Sequence, residues 1–266
     1  MRDTRVKKKY LLHHIEQNQA SNDRRFKKLR ANQIANERIN IVKNNMSWNN
    51  LTMMIAKYSV GENTDVLISD FKTSAHLMHE SWVGDTWKLK MGRPKKVYDQ
   101  FIFSAYEEML WMLSLGVLLN IEKDEIEKLV EVIERSNVSD KLLNYFIKHL
   151  FPEYSVTQYE SYKDYFDVPN SFHKVREAID APNLQAAASS LHVFLEKDWM
   201  RIHKESGWYD SHKRTNGLYF GYWSFETAAV VKITGLDDSS FRDHPYYPTD
   251  LVHGSTGQPK KKGFFG

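Results

Sequence analysis

One stretch, GYWSFETAAVVKITGLDDSSFRDHPYYP from Gly221 to Pro248, constrains the fold of this chain more than any other. Tyr222, Phe225, Ala229 and Ile233 recur at helical spacing, Gly235 offers the left-handed residue that ends a helix cheaply, and Leu236 anchors the turn. Asp237 is expected to cap a following helix through its carboxylate, with Asp238 adding negative charge to that helix's first turn. Large aromatics at this spacing usually pack, so Tyr222, Trp223 and Phe225 read as core.

The rest of the chain is helical in pattern. Periodic apolar residues predict helices from about Asp23 to Asn45, from Ser47 toward Tyr58 and from Asn63 or Thr64 to Val83. A loop, GDTWKLKMGRP, follows, and then a helix from about Lys95 to Leu119 that is apolar on most faces. Shorter helices are expected at Lys123–Arg135, Asp140–Leu150 and Ser171–Ile179, and a longer one from Pro182 toward His203. No alternation of β-branched and polar residues lasts long enough to argue a sheet, so the expected fold is all-α, a bundle of two packed helical halves. The boundaries read as a basic N-terminal extension over 1–21, helical domains over 22–152 and 153–253, and a flexible basic tail over 254–266. Sliding the sequence by 115 residues lays Leu115–Ile126 on Val230–Phe241, an echo of helix end, turn and acid-led restart that fits either a duplication or any helix-turn-helix junction.

Composition removes several classes. A chain of 266 residues buries a core without staples, and with no cysteine, thiol catalysis and cysteine metal sites are excluded; a reducing cytoplasm is the expected location. The apolar run Tyr10–Leu12 is too short for a signal peptide, and Met109–Leu119 falls short of the roughly 20 residues a bilayer needs. Residues 1–50 hold 12 Lys or Arg against 4 Asp or Glu, so a chain of net charge +3 carries an acidic remainder. That remainder repels phosphate and suits a basic protein partner.

Two other functions are weighed. His203, Asp210, His212, Glu226, Asp237, Asp238, Asp243 and His244 have the composition of a metal-dependent hydrolase, but without HExxH or an i, i+4 histidine pair. Lys7, Lys8, Lys9, Arg24, Arg25, Lys27, Lys28 and Arg30 would make a phosphate-contacting strip on a nucleic-acid-binding helix, although only Tyr10 and Phe26 interleave. There is no GxSxG turn and no phosphate-binding glycine loop, and neither a cofactor, a metal site nor a catalytic residue is assigned.

Three surfaces fit a cationic protein partner instead. In the helix after Glu122, Ile126, Leu129, Val130 and Ile133 take the core side, leaving Asp124, Glu127, Glu131 and Glu134 as an acidic stripe whose repulsion Lys128, four residues after Asp124, partly relieves. An ordinary solvated face is the other reading. In the connector, Tyr154, Tyr159, Tyr162 and Tyr165 alternate with Glu153, Glu160, Asp164 and Asp167, which suits a polar-rimmed interface or cement between the halves. Asp210, His212 and Asp238 beside the C-terminal signature complete the set.

The segment Gly221–Pro248, with WYDSHK at Trp208–Lys213, the pair Tyr219 and Phe220, and YYPTDL at Tyr246–Leu251, resembles the C-terminal domain of the PoNi immunity proteins. Met53–Phe71 and Tyr98–Leu119 resemble that family's N-terminal domain more loosely. The resemblance implies a non-enzymatic cytoplasmic immunity protein whose partner is a PoNe-type DNase toxin, delivered between bacteria by a type VI or similar secretion system and neutralised by stoichiometric binding.

Overall fold

The computed structural model describes residues 1–155, 160–163, 170–214 and 219–254. It is mainly helical, as expected, with one small hairpin. Helix α1 spans Lys8–Arg30 and buries Leu11, His14 and Asn22, so it begins inside the predicted extension. The single helix expected over 23–45 is broken: Asn32 turns the chain at φ 52°, and α2 runs from Asn36 to Val60. Ser47 therefore lies within α2 and its hydroxyl donates to Ser74 O on α3 (Thr64–Ser81) at 3.0 Å. Gly61, at φ 107°, stops α2.

Where a loop and a helix start were expected, β1 (Lys88–Met91) pairs antiparallel with β2 (Lys96–Phe101). Val97, Tyr98 and Phe101 are good strand formers, and Lys88 Nζ ties the strands through Asp99 at 2.8 Å. Helix α4, Phe103–Leu118, is buried on nearly every face and sits at the centre. After Asn120, at φ 51°, α5 covers Lys123–Arg135; α6 covers Lys141–Leu150, its N-cap Asp140 accepting from the backbone N–H of Leu142 and Leu143.

In the C-terminal half, α7 (His173–Ile179) packs on α8 (Leu184–Val193). A π-helical turn, Phe194–Asp198, carries α8 into α9 (Trp199–Ile202), so the long helix predicted toward His203 is present, with Asn183 capping its start. Helix α10, Phe225–Thr234, ends at Gly235 with φ 64°, the left-handed stop read from the sequence. No helix follows. Asp237 instead closes a turn by accepting from Ser239 N and Oγ, both at 3.0 Å, and the chain proceeds through further turns to α11, Thr249–His253. Half of the internal echo therefore holds: Asn120 and Gly235 both end helices in the left-handed conformation, but only the first is followed by a helix. The two helices concerned, α4 and α10, pack together, and Lys232 Nζ donates to Leu118 O at 2.8 Å.

The layout follows from the pairings. Helix α1 packs on α2, α2 on α3 and α3 on α5, while α4 reaches α5, α6 and α10. One hydrophobic core runs from Leu11 to Leu251. The N-terminal segment meets α11: Arg2 Nε donates to Asp250 Oδ2 at 2.7 Å and Arg2 Nη1 to Tyr58 O at 2.9 Å. Among the described residues no helix is long and apolar enough to cross a membrane.

Candidate partner-binding site

Helix α5 is strongly amphipathic and densely charged. Ile126, Leu129, Val130, Val132 and Ile133 seat it on the core, and that seating turns Asp124, Glu127, Glu131 and Glu134 outward, all exposed. Glu131 Oε2 lies 2.6 Å from His79 Nε2 on α3. Among the described residues no cation comes within ion-pair distance of Asp124, Glu127 or Glu134. Lys128 does not relieve Asp124 as expected; it turns back one residue less and pairs with Glu125 at 2.5 Å. The stripe is thus a carboxylate face on which Glu131 has His79 and desolvation of Asp124, Glu127 and Glu134 would be offset by an external cation.

The connector is largely structural where it is described. Tyr162 is 1% exposed; its hydroxyl accepts from Phe101 N at 2.9 Å, and its ring meets Tyr106 edge-on at 5.5 Å. It cements β2 and α4 and offers nothing to a partner, which corrects the sequence reading. Ser161 and Ser139 bond twice, through Ser161 N to Ser139 O at 2.8 Å and Ser139 N to Ser161 Oγ at 2.7 Å. Glu160 is half-buried and accepts from Lys141 N at 3.2 Å; burial and the nearby Asp140 carboxylate raise its pKa, opposed by Arg176. Tyr159 and Asp164 lie outside the described residues, as do Tyr165, Asp167 and the tail from 255.

Near the C-terminal signature the predicted residues separate. Asp238 is fully buried, accepting from Arg242 Nε at 2.8 Å, Tyr247 OH at 2.7 Å and pairing with His253 at 2.6 Å. Burial alone would raise its pKa, but His253, Tyr247 and Arg242 outweigh it and hold the carboxyl below its usual range. It is an internal staple rather than a contact residue. Asp210, at φ 53°, pairs with Lys213 at 2.8 Å, and His212 Nδ1 lies 3.1 Å from Tyr222 OH. These two remain at the surface.

Two buried acids that sequence reasoning missed, Glu107 and Glu108, lie in the core near His203 and Glu226, which it had named. Glu107 on α4 meets His203, the charges of both act on Glu226, and the neighbouring Glu108 is buried as well, all four being nearly inaccessible. His203 Nδ1 is 2.8 Å from Glu107 Oε1, and the ring is boxed by Trp199 at 4.8 Å and Trp208 at 4.7 Å. Burial pushes Glu108 up to about 8, helped by repulsion from Glu107. Burial likewise raises Glu226 to about 7, against hydrogen bonding that includes Ser224 Oγ at 2.7 Å. The signal was visible, since two adjacent glutamates interrupt an otherwise apolar run. Tryptophan walls close the cluster to any substrate, and Asp210, His212 and Asp238 have other partners. Among the described residues no three His, Cys, Asp or Glu side chains converge as a metal ion needs.

Comparison with known proteins gives the lineage. The solved structure of protein PA2201 from Pseudomonas aeruginosa superposes with a TM-score of 0.69 at 20% identity, over 95% of this chain and 89% of that one, which establishes a shared fold. No curated protein matches the sequence. Residues 2–131 match the family described as PoNe immunity protein (PoNi), N-terminal, and residues 138–251 match PoNe immunity proteins (PoNi), C-terminal. With both regions matched in order across nearly the whole chain, this protein belongs to the PoNi immunity family.

Proposed function

We propose that this protein protects its cell from a DNase toxin by binding the toxin stoichiometrically in the cytoplasm, with no chemistry of its own. The observation that carries the mechanism is the exposed carboxylate face of α5, three of whose four acids have no cation within ion-pair distance among the described residues. A nuclease must hold a polyanion and therefore presents cationic surface, so the same surface is attracted to Asp124, Glu127, Glu131 and Glu134. An interface of about 1,600 Å² is ordinary for such a pair. Half-exposed Glu160 and the surface residues Asp210 and His212 are secondary contact candidates.

The test is co-expression with a PoNe-type DNase, sought first in the reading frame beside this gene, followed by size-exclusion chromatography with light scattering. Protected cells and a complex of defined stoichiometry support the proposal. Equal killing with and without this protein overturns it.

A further inference from the structure

The acidic face is balanced by a basic site elsewhere on the molecule. A cleft of about 260 Å³ opens between the N-terminal segment, which contributes Arg5, Lys7 and Tyr10, and the turn bearing His212, Lys213 and Arg214. It joins residues more than two hundred positions apart, so no sequence window displays it. Arg5 is fixed in place: Nη1 pairs with Asp3 at 2.9 Å, Nη2 donates to Pro245 O at 3.0 Å, and the guanidinium lies 4.9 Å from the Tyr246 ring centroid.

The charge account of the cleft is uneven. Asp3 is buried and already accepts from Arg5, from Tyr219 OH and from Tyr222 N. Asp210 is held by Lys213 at 2.8 Å. Among the described residues neither Lys7 nor Arg214 has an ion pair, and Arg214 reaches only Gly207 O at 3.3 Å. Burial is the main cause of a lowered His212 pKa, with Lys213 and Arg5 adding to it and Asp210 and Asp3 opposing. Four permanent cations face two engaged carboxylates.

From this placement we propose that the cleft binds a carboxylate-bearing peptide, an acidic segment of the toxin distinct from its DNA-holding surface; in naming the toxin as the source, the inference rests on the function proposed above. With Arg5 and Lys213 already paired, Lys7 and Arg214 leave the cleft net positive, which disfavours docking of a cationic DNA-holding surface. Helices α2 and α3 lie between α1 and α5, so this contact and the acidic face are separate anchors. Asp3 and Asp210 in and beside the cleft favour a singly charged carboxylate over a doubly charged phosphate, and the tyrosine walls suit a peptide more than a nucleic-acid backbone.

Calorimetric titration of the full chain with an acetylated hexaglutamate peptide tests this, with inorganic phosphate and a single-stranded oligonucleotide as comparators. The cleft variant is Lys7→Glu with Arg214→Glu; the control, Lys27→Glu with Lys28→Glu, reverses as many charges at the far end of α1. Peptide binding that falls at least tenfold in the cleft variant and little in the control supports the site. No binding by the wild type, equal loss in both variants, or preference for phosphate or oligonucleotide overturns it. Melting curves accompany each variant, and Lys7→Gln with Arg214→Gln gives the same readout if the reversed form does not fold. The toxin as the source is read separately, from association with the wild type and cleft variant. If the wild type protects cells and the cleft variant binds toxin equally well, this inference fails while the proposed function stands. If the wild type does not protect, that function fails, and with it the toxin as the source; the titration then decides the cleft's chemistry alone.

Discussion

Trp223 Nε1 donates to Ser59 Oγ at 2.8 Å, and Ser59 Oγ in turn sits 2.9 Å from both Ile55 O and Phe220 O. One hydroxyl on α2 therefore fixes the approach of the C-terminal signature, whose backbone passes so close that a Cβ on Gly221 would lie 2.0 Å from it. Gly221 also has φ 118°, a conformation L side chains rarely adopt, whereas Gly235 at φ 64° has open space around it.

The two glycines should therefore respond differently. Gly235→Ala meets only the left-handed penalty, about 1–2 kcal/mol. Gly221→Ala adds a clash that neither α2 nor Trp223 can relieve, and its loss should exceed that of Gly235→Ala by more than about 1–3 kcal/mol, the usual cost of overpacking. Chemical denaturation of both variants measures the order; equal losses would mean the contact with Ser59 yields freely.

Glu108 makes stability fall as pH rises. Its carboxyl is raised from 4.5 to about 8 in the folded protein, so between these values the unfolded chain gives up a proton that the folded chain keeps. The contribution is full below the lower value and is lost progressively toward the upper one. Glu226, raised to about 7, acts in the same direction. Glu108→Gln should be more stable than wild type at pH 8 by at least about 1.4 kcal/mol, the equivalent of one pKa unit, and the gain should shrink toward pH 5. Melting curves across that range are decisive, and a constant offset would contradict the assignment.

Neighbouring aspartates in the signature should separate by burial. Asp237→Ala removes an exposed turn contact and should cost no more than about 1 kcal/mol. Asp238→Ala leaves Tyr247, Arg242 and His253 without their shared acceptor and should cost about 3 kcal/mol. Because the Asp238 pKa is lowered, its contribution is present above the ordinary aspartate range and lost in acid as pH falls through the folded value. Urea titrations at neutral and acid pH read both effects.

Charge on α5 should govern the rate of toxin association rather than stability. Asp124→Lys with Glu127→Lys changes only exposed side chains, so the fold is retained while association slows by about tenfold or more at low salt and loses its salt dependence. Stopped-flow measurement at two ionic strengths, with the toxin identified by the co-expression test, gives the rates. Unchanged rates would move the docking surface off α5.

Much of the helical frame was legible because apolar periodicity and left-handed residues are local signals. The core stripe of α5, the stop at Gly235 and the long helix into His203 were readable in that way. The break between α1 and α2 was not, because Asn32 turns the chain without Gly or Pro to mark it. The hairpin at 88–101 was missed because its strands are short and one continues directly into α4. Alternation of tyrosine and acid described the connector, but its composition did not reveal that Tyr162 turns inward to meet Phe101 N. Asp237 had the chemistry of a helix cap; the chain after it forms turns, and nothing local distinguishes the two uses of an aspartate. The cleft of Arg5 and Arg214 depends on the meeting of distant segments.

That meeting has a consequence for biosynthesis. Arg2 is clasped by Asp250, and Asp3 by Tyr219, so residues 2 and 3 wait for partners more than two hundred positions later in synthesis before they find their places. A nascent chain halted before α11 lacks the clasp that closes the molecule, and protection by such a fragment should be weak or absent. The order of translation then sets a delay: the N-terminal segment reaches its final place only once the segment around Asp250 has been made.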